Sequence, residues 1–209
     1  MRMIKKTNVK YLLEVLIVAF GVFLGLFISE WNTQRKANIN TENTMVHIIS
    51  ELESNIIKFE KAINYHHQLG TEFDSVVKRI ENIDLDDVYY NNTQFKHYNL
   101  PSWNGMGFVV TENVIYESAK ISGVLQELNI TTIQRIANIY KDLESYSEST
   151  KTSLNKLITI DSSTKIADIY KILELLKIDA LNYEKYILEE LKITVNELKE
   201  TIHNNVYKK

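Results

Sequence analysis

Hydrophobic positions along the chain follow two regular rhythms, separated by one irregular stretch. The first rhythm is continuous. Tyr11–Ile28 reads YLLEVLIVAFGVFLGLFI, eighteen residues with Glu14 as the one charge. As a helix rising ~1.5 Å per residue it covers roughly 27 Å, close to the ~30 Å hydrocarbon core of a bilayer. Between Val15 and Ile28 no polar side chain interrupts it, whereas a helix half-immersed in water keeps a polar face. Tyr11 and Trp31 bracket the run, as amphipathic rings do at headgroup level. A transmembrane helix over 11–31 is expected.

The second rhythm is a heptad. Met45, Ile49, Leu52, Ile56, Phe59, Ile63 and His66 alternate steps of four and three, the seam of a coiled-coil-like helix. This helix is expected to run to Leu69 and stop at Gly70, with a fresh start at Asn40–Thr41 as one option after the polar stretch TQRKANINTENT. A second helix is read over Glu72–Asn82. Another seam passes through Ile133, Ile136, Tyr140, Leu143, Ser147, Thr150, Leu154 and Leu157. A third uses Leu181, Leu188, Leu191, Val195, Leu198 and Ile202, with Asp179 as the cap of that helix. Shorter helices are read over Asn113–Leu128 and Ile166–Lys177, the latter started by Asp161-Ser-Ser-Thr164. Together these predict an all-α chain: one membrane helix, then an antiparallel helical bundle over 32–209.

Residues 84–110 break both rhythms. They hold Tyr89, Tyr90, Phe95, Tyr98, Trp103 and Phe108 and the single proline, Pro101. A loop of that length in a compact domain is often functional. Tyr98 and Trp103 are therefore candidates for a partner surface. The favoured alternative is a cap closing one end of the bundle, and an edge hairpin across Val88–Asn99 is a third option.

Composition sharpens the picture. Four Lys/Arg precede the span within residues 1–10, and Phe27 and Ile28 stand where a signal-peptide cleavage site wants small residues. An uncleaved signal anchor is expected, with a cytoplasmic N-terminus and an exported C-terminal domain. Residues 1–36 hold six basic and two acidic side chains, so of the total charge of −3 the remainder carries −7. Such an acidic domain is a poor ligand for nucleic acid, whose affinity rests on Lys and Arg. The chain has no cysteine, which suits an oxidising compartment and removes thiol catalysis.

Candidate chemistry is sparse. No nucleophile elbow, zinc-protease, phosphate-loop or dinucleotide motif is present, so no enzyme activity and no cofactor are expected. His47 and Glu51 stand four apart, a spacing able to hold a metal, but two ligands make a weak site and no metal is expected. Inside the span, Gly21, Gly25 and Ser29 form a small-xxx-small strip, with Glu14 near the same face. Such strips let helices approach closely, which suggests self-association or a membrane partner. The other reading is chance occurrence, with Glu14 reaching the headgroups near Lys10.

A second patch is VIYESAKISGVLQELNITTIQRIANIYKDLE. Gly123 inside a helical pattern costs about 1 kcal/mol relative to Ala, which marks a kink or a close helix crossing. Tyr116, Glu117 and Ser122 could line a ligand or partner slot there, or a packing notch filled by a neighbouring side chain. This patch and EVLIVAFGVFLGLFISEWN together resemble a family of small single-pass bacterial membrane proteins, a domain of unknown function. The shared features are the apolar run ending in Trp-Asn, then Tyr116, Glu117, Ser122, Gly123 and Tyr140. Ser29-Glu30 replaces the usual asparagines, and Ala119 stands where Leu is common. The resemblance covers about sixty residues and implies an anchor plus a helical exported domain, without an activity.

Two functions are expected. The first is a non-enzymatic interaction or scaffold module of the cell envelope, partnered by the bilayer and by a second copy or another membrane protein. The second is an extracytoplasmic ligand-binding sensor, motivated by Ser147, Thr150 and the Tyr116 patch, that signals through a partner. A hydrolase is a distant third.

Overall fold

The structure, a computed structural model, describes the main chain of residues 3–80 and 84–206 and the side chains of 10–80, 84–155 and 159–204. Among these residues the chain is helical, without a strand. The first helix, α1, runs unbroken over Met3–Val77. It carries both the apolar segment and the first heptad seam. No pause occurs at Asn40–Thr41. Thr41 and Thr44 instead donate their hydroxyls back to the carbonyls of Ala37 and Asn40, so these side chains stay inside the helix rather than capping a new one.

Nor does Gly70 end the helix. A side chain there would meet the aliphatic stem of Lys177, whose Cγ lies 2.9 Å from the position of a Cβ. Gly70 is a close-approach glycine, and the expected second helix from Glu72 is the last part of α1. Its expected end at Asn82 lies outside the described residues.

After α1 the chain passes through residues 84–113, with short 3-10 turns at Tyr89–Asn91 and His97–Asn99. Helix α2 (Val114–Ser122) comes next, with a 3-10 turn over Val124–Glu127, then α3 (Ile130–Ile158) and α4 (Ile166–Leu175). A π-turn at Leu176–Ala180 joins α4 directly to α5 (Leu181–Val206). Asp179 therefore sits within a continuous helical run and caps nothing. The helix expected over 113–128 stops at Ser122, because Gly123 adopts φ +73°. This left-handed turn suits glycine and closes the helix.

Contacts fix the topology as up-down-up-down. Glu53 pairs with Lys199 and Glu60 with Lys192, so α5 descends beside the ascending α1. Glu51 meets Tyr140 and Phe59 meets Tyr146, so α3 ascends with α1. Between them α2 descends. Ile48, Leu52, Phe59, Ile136, Leu143, Ile187 and Leu191 fill the main core. Burying a Phe or Leu side chain stabilises by ~1.5–3 kcal/mol, so this seam supplies the main drive for folding. On α3 the seam shifts: Tyr146 is buried, while Leu154 is exposed and Ser147 and Thr150 are half-buried. The side chain of Leu157 lies outside the described residues.

The irregular segment caps the far end of the bundle. Tyr89, Phe95, Leu100 and Met106 are buried there with Leu69, Phe73, Ile166, Ile169 and Leu173. The Tyr170 ring meets Phe73 and Phe95 edge-on at 5.1 and 4.8 Å, the favoured geometry for aromatic pairs. No hairpin forms across Val88–Asn99. Instead Ile166 and Ala167 donate their N–H groups to the carbonyls of Asp87 and Leu85. The loop thus satisfies the otherwise unpaired start of α4.

Candidate functional site

The apolar part of α1 stands clear of the bundle. None of its most apolar eighteen-residue window is buried, and its mean hydropathy is 2.5. It is long and apolar enough to cross a membrane. Nothing lies within 4 Å of a side chain built at Gly21 or Gly25, so no described residue of the same chain occupies that strip. Glu14 lies 4.0 Å from Lys10, as the snorkelling alternative requires. Ser29 contributes its carbonyl to the Thr33 hydroxyl.

The Tyr116 patch does not converge on a slot. The Tyr116 ring stacks on Tyr140 at 4.1 Å. Glu117 turns to solvent and pairs with Lys120 at 3.0 Å. Ser122 donates its hydroxyl to the Ala119 carbonyl. At Gly123 a side chain would meet nothing within 4 Å, so neither a helix crossing nor a filled notch exists there. The left-handed turn alone explains the glycine. The Thr150 hydroxyl is likewise satisfied locally, donating to the Ser147 carbonyl.

Tyr98 and Trp103 do come together, both edge-on to the His97 ring at 5.4 and 4.7 Å. Tyr98 is exposed and Trp103 half-buried. The His97 Nδ1 lies 2.7 Å from the Tyr89 hydroxyl. Burial, then the nearby Lys96 charge, holds this imidazole below the usual histidine range.

Two buried carboxylates are the polar centres of the bundle, and neither was expected from the sequence. Glu51 on α1 accepts the Ile115 N–H at 2.7 Å, the Tyr116 N–H at 3.3 Å and the Tyr140 hydroxyl at 2.6 Å. Asn113, the residue before α2, makes no capping bond through its side chain. Glu51 therefore caps α2 from a neighbouring helix, with its charge at the positive end of the helix dipole. Burial, and then the Glu51 contact, pushes the Tyr140 hydroxyl far above its ordinary range. One turn on, Asn55 exchanges two hydrogen bonds with the main chain of Glu112, at 2.9 and 2.8 Å.

The second centre is Glu184 on α5. It accepts the Tyr146 hydroxyl at 2.7 Å and faces His66 Nδ1 at 2.8 Å. The opposite ring nitrogen, Nε2, meets the Met106 carbonyl at 2.6 Å. Burial opposes charge on His66. The Glu184 hydrogen bond and charge and the Met106 carbonyl together outweigh it and raise its pKa. A faint signal for this centre existed. The α5 seam skips from Leu181 to Leu188, and Glu184 falls where the intermediate step belongs, while His66 occupies a seam position on α1.

Among the described residues no cluster of three or more His, Asp or Glu is placed to hold a metal. Glu51 of the His47–Glu51 pair is already committed to α2. No known protein family, no curated protein and no solved structure matches the chain.

Proposed function

We propose that the chain is a membrane-anchored, non-enzymatic helical interaction module of a bacterial cell envelope. Its apolar segment crosses the cytoplasmic membrane once, with residues 1–10 inside and the bundle on the extracytoplasmic side. The partner is a second copy or another membrane protein, recognised through the Gly21/Gly25 face.

One observation carries this reading: the apolar part of α1 is unburied by its own chain, while the bundle core is filled. The helix also continues without interruption from the span into the bundle. From Ile28 to Met45, the first fully buried core position, the helical rise is roughly 25 Å. Association of two spans would thus be transmitted to the bundles through a stiff stalk. The patches that resemble the single-pass bacterial family support the envelope placement.

Cross-linking and affinity purification of the full-length protein from native membranes test it, with a Gly21→Leu/Gly25→Leu variant alongside. A discrete dimer or a co-purifying membrane protein, lost in the variant, is the expected result. A monomer without partners, or association unchanged by the double substitution, overturns the reading.

A further inference from the structure

Residues 104–112 form an irregular strap alongside α1. Among the described residues their main chain makes no hydrogen bond to other main chain. Side chains supply its fastenings. The Tyr65 hydroxyl donates to the Gly105 carbonyl at 2.6 Å and accepts the Asn104 N–H at 3.0 Å. Lys58 holds the Val110 carbonyl at 2.9 Å, and Asn55 holds Glu112. At the centre, His66 reaches the Met106 carbonyl and the Tyr146 hydroxyl accepts the Val109 N–H at 3.1 Å. Gly107, at φ +71°, lies so close to Tyr65 and His66 that a side chain there would collide with both.

We propose that the His66–Glu184–Tyr146 cluster is a proton-operated latch, which holds the strap while both nitrogens of His66 are protonated and releases it when one proton leaves. The tautomer logic is strict. A carbonyl oxygen only accepts, so Met106 requires a proton on Nε2; an ionised Glu184 only accepts, so it requires one on Nδ1. Tyr146 spends its own hydrogen on the other oxygen of Glu184 and cannot relieve either contact. With Glu184 ionised, only the imidazolium satisfies both sides.

A neutral His66 leaves one lone pair pointed at an oxygen lone pair in a site closed to water. If Nε2 is the bare nitrogen, it repels Met106 and lifts the strap directly. If Nδ1 is bare, it repels Glu184, which anchors Tyr146 and through it Val109. Either outcome weakens a strap bond, and no main-chain ladder compensates. The strap is also one wall of a surface groove of about 400 Å³, lined by Lys58, Ala62, Tyr65 and Phe108. Release removes that wall.

The titratable groups facing His66 are few. They are Glu184 from α5, Tyr146 from α3 and the neighbouring Tyr65 of α1, whose ring centroid lies 5.4 Å away. Tyr183 packs behind Tyr146 at 5.8 Å. The strap presents an uncharged carbonyl and the Phe108 ring. Burial raises both Tyr65 and Tyr146 above their ordinary range, with the Glu184 charge adding to the effect at Tyr146 and the Asn104 and Val109 N–H groups opposing it in part. Both tyrosines therefore keep their protons through the pH range in which an imidazole titrates.

The test uses the full-length protein in detergent micelles with labelled histidine side chains. The ring signal of His66 gives its titration midpoint, and hydrogen exchange of the Val109 amide, the strap N–H held by Tyr146, gives strap protection, normalised to the α2 amides. We expect a midpoint above the usual ~6.5 of histidine. Strap protection should fall about ten- to a hundredfold at the same midpoint, as for loss of one charge-assisted hydrogen bond. Glu184→Gln should lower both midpoints together. The latch is overturned if His66 titrates at or below ~6.5, or if strap protection in the wild type stays level through the His66 transition. The wild-type comparison decides alone if the variant does not fold.

Discussion

Replacing Glu51 tests whether a carboxylate from one helix nucleates its neighbour. Glu51 serves two backbone N–H groups at the start of α2 and the buried Tyr140 hydroxyl. Glu51→Ala removes the acceptors of all three hydrogen bonds at once. Loss of an N-cap costs about 1–2 kcal/mol, and leaving a buried donor unpaired costs ~1–3 kcal/mol. Partial access of water to the exposed side of α2 reduces the sum, so we expect a loss of about 2–4 kcal/mol. For a chain of this size that lowers the melting midpoint by about 10 °C. Glu51→Gln keeps one acceptor oxygen but aims an amide donor at the remaining donors, so its loss should fall between alanine and wild type. Tyr140→Phe leaves the Glu51 Oε1 with only the longer Tyr116 N–H contact, and in that background Glu51→Gln should cost less than it does alone, which measures the coupling directly. The assay is thermal unfolding in detergent, followed by circular dichroism. Glu117→Ala, on the solvent side of α2, is the control and should leave the midpoint unchanged. A Glu51→Ala midpoint indistinguishable from that control would refute the assignment of Glu51 as the α2 cap.

Four further outcomes are expected from the same preparation. Gly107→Ala forces a side chain into Tyr65 and His66 at a positive φ and should destabilise by about 2–4 kcal/mol. Gly105→Ala has a similar φ but open space around it, so it should cost only about 1–2 kcal/mol. Phe59→Ala empties a fully buried position against Tyr146 and should cost about 3–5 kcal/mol by the same melt. The folded pKa of His66 is raised, so its contribution is complete below the unfolded value of ~6.5 and is lost as pH rises through the folded one. Melting midpoints measured upward from pH 6 should decline across that window in the wild type and show less decline in Glu184→Gln.

Features decided by local chemistry were legible in the sequence. An unbroken apolar run of membrane length reads as such anywhere, because its meaning depends on its own residues. The α1 seam from Met45 to His66 was also readable, since a periodicity of three and four determines which face must be covered. It supported an all-α bundle, with the irregular segment as its cap.

Tertiary structure decided where helices stop and which polar residues go inside. Gly70 looks like a terminator until Lys177 is seen packed against it. Asp179 looks like a cap until the π-turn carries the helix past it. In both cases packing by a distant segment outweighed a local preference worth about 1 kcal/mol. Gly123 reversed the lesson: expected to mark a kink or a close helix crossing, it ends α2 by backbone conformation alone. Glu51 and Glu184 are the clearest divide. Apart from the gap that Glu184 fills in the α5 seam, they resemble in sequence the solvated glutamates around them. Only the fold brings the α2 amides, Tyr140, Tyr146 and His66 close enough to make burial of a carboxylate favourable.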